Sequence, residues 1–345
     1  MRDINGAEAY YRKKAIQGMS IGIAFFTLLV LSFIVAMNTG YTPLSPMDTL
    51  RTLFGGGTEK ENLILFSFRL PRMVLSILVG AGLAMSGALI QGVTKNALAD
   101  PGLLGINAGA GLMVVLYVVF FGSKSLGSVM ALPFLALIGG GATAILIYVL
   151  AFRRHEGVAP LRLVLMGIAV QAGINALMTV LVIKLDDAQF DFVASWQGGT
   201  IWGSNWRYVL SLLPWLLILL PYAFYKSRVL DVLSLGTDTA GGLGASVTRE
   251  QRKLLAVSVA LAASCVAVSG SISFVGLIAP HLARRLVGPR HGRLLPVCAL
   301  VGGVLLSVSD TIARTIVQPS EIPTGIVAAA VGAPYFLYLL AKNKG

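Results

Sequence analysis

The chain has 345 residues, is 56% apolar and only 12% charged, and carries a net charge of +12 from 27 Lys+Arg against 15 Asp+Glu. Its mean hydropathy is +0.81. A soluble domain is about 25% charged, and half that charge cannot coat a globule of this size, which excludes a soluble enzyme, a disordered chain and a secreted disulfide scaffold.

Arg12, Lys13 and Lys14 precede the apolar run Met19–Met37. That run is longer than the roughly 7–15 apolar residues of a signal-peptide core. It reads as an uncleaved first span behind a cytosolic tail, 1–18. About 20 mostly apolar residues cross a bilayer, and further candidates follow at roughly 73–93, 103–121, 129–152, 161–183, 208–225, 254–272, 295–316 and 323–341. The segment 274–287 is short, is broken by Pro280 and ends in Arg284 and Arg285. Basic clusters at 249–253 and 284–293 flank it and the preceding span, and such clusters belong in the cytosol. An even number of crossings must separate them, so 274–287 completes one. The expected fold is an all-α polytopic membrane protein with ten transmembrane helices and both termini inside. On this map 19 of the Lys and Arg fall inside and 8 outside, while the acids divide 7 to 8. The whole excess is positive-inside bias, and no nucleic-acid partner is needed to explain it. The longest cytosolic loop is about 226–253 and the longest external segments are 38–72 and 184–207, so residues 1–345 read as a single transmembrane domain.

The run Arg69-Leu-Pro-Arg72 opens the second span. Its arginines either snorkel to the interface or dock an acidic partner through charge-assisted bonds. The fifth span carries Gln171, Asn175 and Thr179 on one face. Lipid would leave such amides unsatisfied, so the stripe should face the bundle interior, either bonding to another helix or lining a passage; Asn107 in the third span is grouped with it. Leu235 to Gly244, within the long cytosolic loop, reads as a short helix with a polar start and a glycine stop. Asp310 and Arg314, four apart, can pair near an outer helix end. Cys265 and Cys298 sit in apolar runs and read as small buried residues, not a disulfide. His155, His281 and His291 are scattered at loop edges and helix ends. No phosphate-cradling G-x-x-x-x-G-K-[ST] loop, CxxC, HExxH or G-x-S-x-G run occurs, and no set of side chains suggests a catalytic or metal site. The chain reads as a conduit and not an enzyme. The missing mid-membrane charge disfavours an ion-driven secondary transporter.

Several segments in order carry a family resemblance: Arg69-Leu-Pro-Arg72, Gly80-Ala-Gly-Leu-Ala84, Asn96 to Gly105, Trp196-Gln-Gly-Gly199, Leu235-Gly to Leu243-Gly244, Phe274 to His281, Asp310 to Arg314, and Glu321-Ile-Pro-Thr-Gly325. From about residue 19 to 342 the chain resembles the permease subunits of bacterial ABC importers for ferric siderophores, haem and cobalamin. The resemblance implies a dimer of permeases in the cytoplasmic membrane, two cytosolic ATPase subunits that use ATP and magnesium, and an extracytoplasmic substrate-binding protein. It implies no cofactor on this chain. It places Leu235, Gly236, Ala240, Leu243 and Gly244 in the helix that sits in a groove of the ATPase, and Arg69, Arg72 and Arg314 opposite acidic residues of the binding protein. The expected cargo is an iron(III)–siderophore-type complex, with cobalamin or haem as the alternative.

Overall fold

A computed structural model describes residues 2–40, 44–121, 128–153, 157–158, 160–201, 203–318 and 320–342. In chain order the helices are α1 (Arg2–Asn38), α2 (Pro46–Leu53), α3 (Glu59–Asn62), α4 (Leu70–Thr94), α5 (Ile106–Phe121), α6 (Ser128–Ala151), α7 (Pro160–Val182), α8 (Asp187–Gln197), α9 (Trp206–Tyr225), α10 (Ser227–Ser234), α11 (Thr237–Gly242), α12 (Val247–Ser269), α13 (Val275–Val287), α14 (His291–Ala313) and α15 (Thr324–Lys342). A π-helical stretch, Leu63–Arg69, joins α3 to α4, and a 3-10 turn, Pro101–Leu104, precedes α5. The strand pair β1 (Phe152–Arg153) and β2 (Gly157–Val158) is two residues long on each side.

Each of the ten expected spans coincides with a helix. Seven helices among the described residues are long and apolar enough to cross a membrane, while α5, α13 and the apolar part of α15 are shorter. The boundaries differ from the expectation in three places. Residues 2–18, expected as a tail, continue α1 as helix. The stretch before α4, expected outside, is largely helical: Ser45 caps α2, Thr58 and Glu61 form a reciprocal capping box on α3, and the helical run is continuous from Glu59 to Thr94. The stretch 184–207, also expected outside, holds α8, started by a second capping box from Asp186 and Gln189.

The most buried of the seven spans is in α4, which packs on α9, α12, α13 and α14. In lipid no water is expelled between helices, so close backbone contact replaces the hydrophobic effect as the source of stability. Glycine supplies that contact. A Cβ on Gly80 would collide with the Gly302 carbonyl, and one on Gly302 with the Gly80 carbonyl, so α4 and α14 cross backbone to backbone. Gly87 meets the Gly276 carbonyl of α13 in the same way. That carbonyl has no intrahelical donor, because Pro280 stands four residues on without an N–H. The Gln91 Nε2 of α4 donates towards it at 3.5 Å and to Leu277 O at 3.3 Å.

The connection from α4 to α5 re-enters the bundle. Pro101 lies against Gly276, and Gly276 lies against Leu83, three turns before the end of α4. Asp100 holds this loop: its Oδ1 accepts from Gly102 N at 2.7 Å, and its carboxylate also accepts from the Phe274 N–H between α12 and α13.

Candidate functional site: two ends of one helix pair

The loop between α9 and α12 folds as α10 and α11. Leu230 and Leu233 of α10 are fully buried and anchor it to the bundle. A 2.6 Å ion pair, Lys226 Nζ to Glu250 Oε2, ties the two ends of the loop together. The short helix expected from the sequence is present, with its glycine stop. Ala245 N donates to Ala240 O at 3.0 Å and Gly244 N to Gly241 O at 2.9 Å, the paired bonds of a Schellman ending. Gly244 occupies the left-handed position at φ +83 and Gly236 precedes the helix at φ +117. Ala240 is fully buried beneath the helix, whereas Leu235 and Leu243 on either side are 60% and 64% exposed. Nothing lies within 4 Å of a Cβ placed on Gly241, Gly242 or Gly244. The result is a small-residue helix flanked by two unpartnered leucines, a shape that lets another backbone approach closely.

At the opposite ends of α4 and α14 lies a charge cluster. Both alternatives for Arg69 and Arg72, and the docking role that the resemblance gave Arg314, called for exposed guanidiniums; the structure corrects that, since the three residues are only 5%, 8% and 7% exposed. The expected Asp310–Arg314 pair is replaced as well. Arg72 takes Asp310, with Nε 3.0 Å from both carboxylate oxygens and Nη2 2.8 Å from Oδ1, and its Nη1 reaches Glu321 Oε2 at 2.8 Å. Thr324 Oγ1 donates to the same Asp310 Oδ1 at 3.0 Å. Arg314 Nη2 donates instead to Ala36 O at 2.6 Å, and Arg69 donates to Met37 O. Ala36 and Met37 are among the last carbonyls of α1, which have no intrahelical donors and carry the negative end of the helix dipole. Three arginines thus satisfy two carboxylates and one helix end. No spacing rule shows this, because the partners are 32 to 278 residues apart.

Beside that cluster three glycine-rich segments cross. Gly325 N donates to Gly199 O at 2.8 Å, and Ser271 N to Trp196 O at 3.3 Å. Two of them, at Trp196 and Gly270, border a cavity of about 470 Å³ also lined by Pro133, Asp191, Ser195 and Tyr208. The local signal for these close approaches is the glycines themselves, Gly198, Gly199, Gly270 and Gly325, but nothing in the sequence says which segment meets which.

The polar stripe of α7 does not face this chain's own bundle. Ile174 and Met178 pack on α5 beside Val115 and Val118. Gln171 is half-buried and Asn175 and Thr179 are exposed, with Thr179 Oγ1 bonded back to Asn175 O at 2.9 Å. Asn107 is half-buried in the first turn of α5, its amide over the Gly102 turn against which α7 also packs. Among the described residues no group of three His, Cys, Asp or Glu side chains is gathered as for a metal ion.

Residues 28–342 match the FecCD transport family. The chain belongs to that family. It is a multi-pass protein of the bacterial cytoplasmic membrane, and its relatives are transport permeases. The iron(3+)-hydroxamate import system permease protein FhuG of Bacillus subtilis is 51% identical over 322 residues, covering 92% of this chain and 95% of that protein. The haemin transport system permease protein HmuU of Yersinia pestis is 38% identical, covering 92% and 95%. Among solved structures, an inward-facing metal-chelate-type ABC transporter superposes with a TM-score of 0.82 at 30% identity, covering 94% of this chain and 99% of that one.

Proposed function

We propose that this chain is the permease subunit of an ABC importer that carries an iron(III)–siderophore-type complex, of the hydroxamate class, across the cytoplasmic membrane. The observation that carries the reading is α11. A membrane chain without a nucleotide-binding loop of its own presents a capped helix, free of bulky side chains, between two exposed leucines, on the side where its basic residues gather. Such a surface fits a groove on a separate ATPase. Leu235, Gly236, Ala240, Leu243 and Gly244 form or shape this contact. ATP and magnesium are used by that ATPase, and this chain binds no cofactor.

In this reading the chain is one domain crossing the membrane ten times, with both termini inside. The short α5, α13 and α15 complete crossings where re-entrant connections shorten the path. A second permease, identical or related, covers the polar flank of α7, so that Gln171, Asn175, Thr179 and Asn107 line a passage between the two. An extracytoplasmic binding protein docks at the outer rim. Because Arg69, Arg72 and Arg314 are buried, they act on docking by holding the rim in shape. The hydroxamate class is preferred to haem because identity is higher to the hydroxamate permease, 51% against 38%.

The test is uptake of radiolabelled iron, supplied as a ferric hydroxamate, by iron-starved cells lacking this chain. Uptake should vanish and return on complementation. Unchanged uptake in the deletion strain, with haem or cobalamin uptake lost instead, would move the cargo to that alternative.

A further inference from the structure

We infer that the Asp231–His291 pair is the joint through which the α10–α11 segment moves α4 and α14 together, and that Asp231 is a positioning residue for coupling. The inference rests on the importer reading.

Asp231 lies on the second turn of α10, and its Oδ1 accepts twice from His291: from the ring Nδ1 at 2.7 Å and from the backbone N at 2.8 Å. His291 is the first residue of α14. The backbone N–H groups there have no intrahelical acceptor, and a carboxylate is favoured by the helix dipole. A carboxylate only accepts, so Nδ1 donates with its proton. Nε2 is buried without a hydrogen-bond partner and lies 3.0 Å from where a Cβ on Gly92 would stand, in the last turn of α4. Leu230 of α10 touches the same point, also at 3.0 Å. A side chain at position 92 would press on both the His291 ring and Leu230, each of which would have to give by a few tenths of an ångström.

One spot therefore fastens α10 to the inner ends of both α4 and α14. From it the two helices run outward in backbone contact at Gly80 and Gly302 and are clamped again by Arg72 and Asp310. With 23 residues, α14 spans about 34 Å. A pair joined at both ends and in the middle moves as one body, so a displacement of α10 reaches the outer cluster. Only Leu235 and Gly236 separate α10 from α11, so α11 cannot shift without loading the joint. An ordinary helix cap would need the backbone bond alone. Here the ring is committed too, and the ring is what meets α4.

The experiment uses the complete importer, with its partner permease, ATPase and binding protein, reconstituted in liposomes with ATP enclosed. Substrate moved per ATP hydrolysed is measured for wild type, Asp231→Ala, Asp231→Asn and His291→Ala. Coupling energies of this kind correspond to about 5–150-fold. Asp231→Ala and His291→Ala should each lower the ratio about tenfold, while Asp231→Asn, which keeps an oxygen for both N–H groups, should stay within about twofold. The double alanine variant should be no worse than either single one, because both remove the same contact. The amount of assembled complex and the hydrolysis rate without binding protein should be unchanged. A wild-type ratio in Asp231→Ala overturns the joint. So does a parallel fall of uptake, hydrolysis and assembly, which marks a merely structural role. Wild-type uptake without dependence on ATP would instead overturn the importer reading itself.

Discussion

Gly244 and Arg72 mark the two extremes of what single residues disclose. Gly244 was legible in the sequence because a helix stop is local grammar: the left-handed turn at φ +83 needs a residue without a Cβ. Gly244→Val should cost about 1–2 kcal/mol through backbone strain alone, since no atom stands within 4 Å. The loss should appear as faster amide exchange across α11 with the rest of the bundle unchanged; unchanged exchange in α11 would refute the Schellman ending. Gly241→Ala lies in helical backbone and open space and should slow that exchange, by about 0.5–1 kcal/mol. Arg72 was legible only as a motif. Its partners, Asp310 and Glu321, lie more than 230 residues away, beyond any periodicity. Asp310→Ala leaves a buried guanidinium without its main partner and should cost roughly 3–5 kcal/mol in thermal unfolding. The double variant Arg72→Met, Asp310→Leu should recover much of that loss. Burial also changes the expected salt response. An exposed arginine contact weakens over a screening length of about 8–10 Å as salt rises, but a buried one is shielded from ions. Loss of binding-protein docking in Arg69→Glu should therefore be nearly the same at low and high salt. A loss confined to low salt would return Arg69 to an exposed, contacting role.

At the scale of elements, the apolar runs announced all seven helices long and apolar enough to cross a membrane, but not which face each helix turns to which neighbour. The α7 stripe shows why. Placing it towards the bundle interior followed from the cost of unsatisfied amides in lipid, and that cost is indifferent to which chain supplies the cover. The structure gives Ile174 and Met178 to α5 and leaves Asn175 and Thr179 on the outer flank. Asn175→Trp should accordingly leave this chain's thermal stability intact yet block uptake, whereas Ile174→Trp should lower stability by overpacking the α5 contact, by about 1–3 kcal/mol. Equal stability losses from both would place the stripe in ordinary packing. The crossing of α4 and α14 was hidden for a related reason: a glycine such as Gly80 is visible in the sequence, but its counterpart Gly302 is chosen by tertiary geometry. Even Gly80→Ala puts a Cβ onto the Gly302 carbonyl, so α4 and α14 must separate along their length.

For the whole molecule the proposed orientation rests on the charge pattern, since 19 basic residues against 8 is a property of the entire chain and survives errors in single helix ends. The exposed positions Gly242 and Gly55 report the two sides, and Cys265 and Cys298 are buried, which keeps background labelling low. Gly55→Cys should react with a membrane-impermeant thiol reagent added outside intact cells, and Gly242→Cys only after permeabilisation. What composition could not disclose was how the two ends of the molecule are connected, because that depends on α10, α4 and α14 meeting at Gly92 and on the clamp at Asp310. The claim that unites these features is that hydrolysis of ATP on a separate subunit, transmitted through this chain, drives import. It is tested most directly in right-side-out vesicles bearing the assembled importer, by measuring ferric hydroxamate uptake with ATP enclosed and with ion gradients collapsed by ionophores. The account predicts that uptake requires the enclosed ATP and continues without the gradients; uptake that follows the gradients and ignores ATP would contradict it.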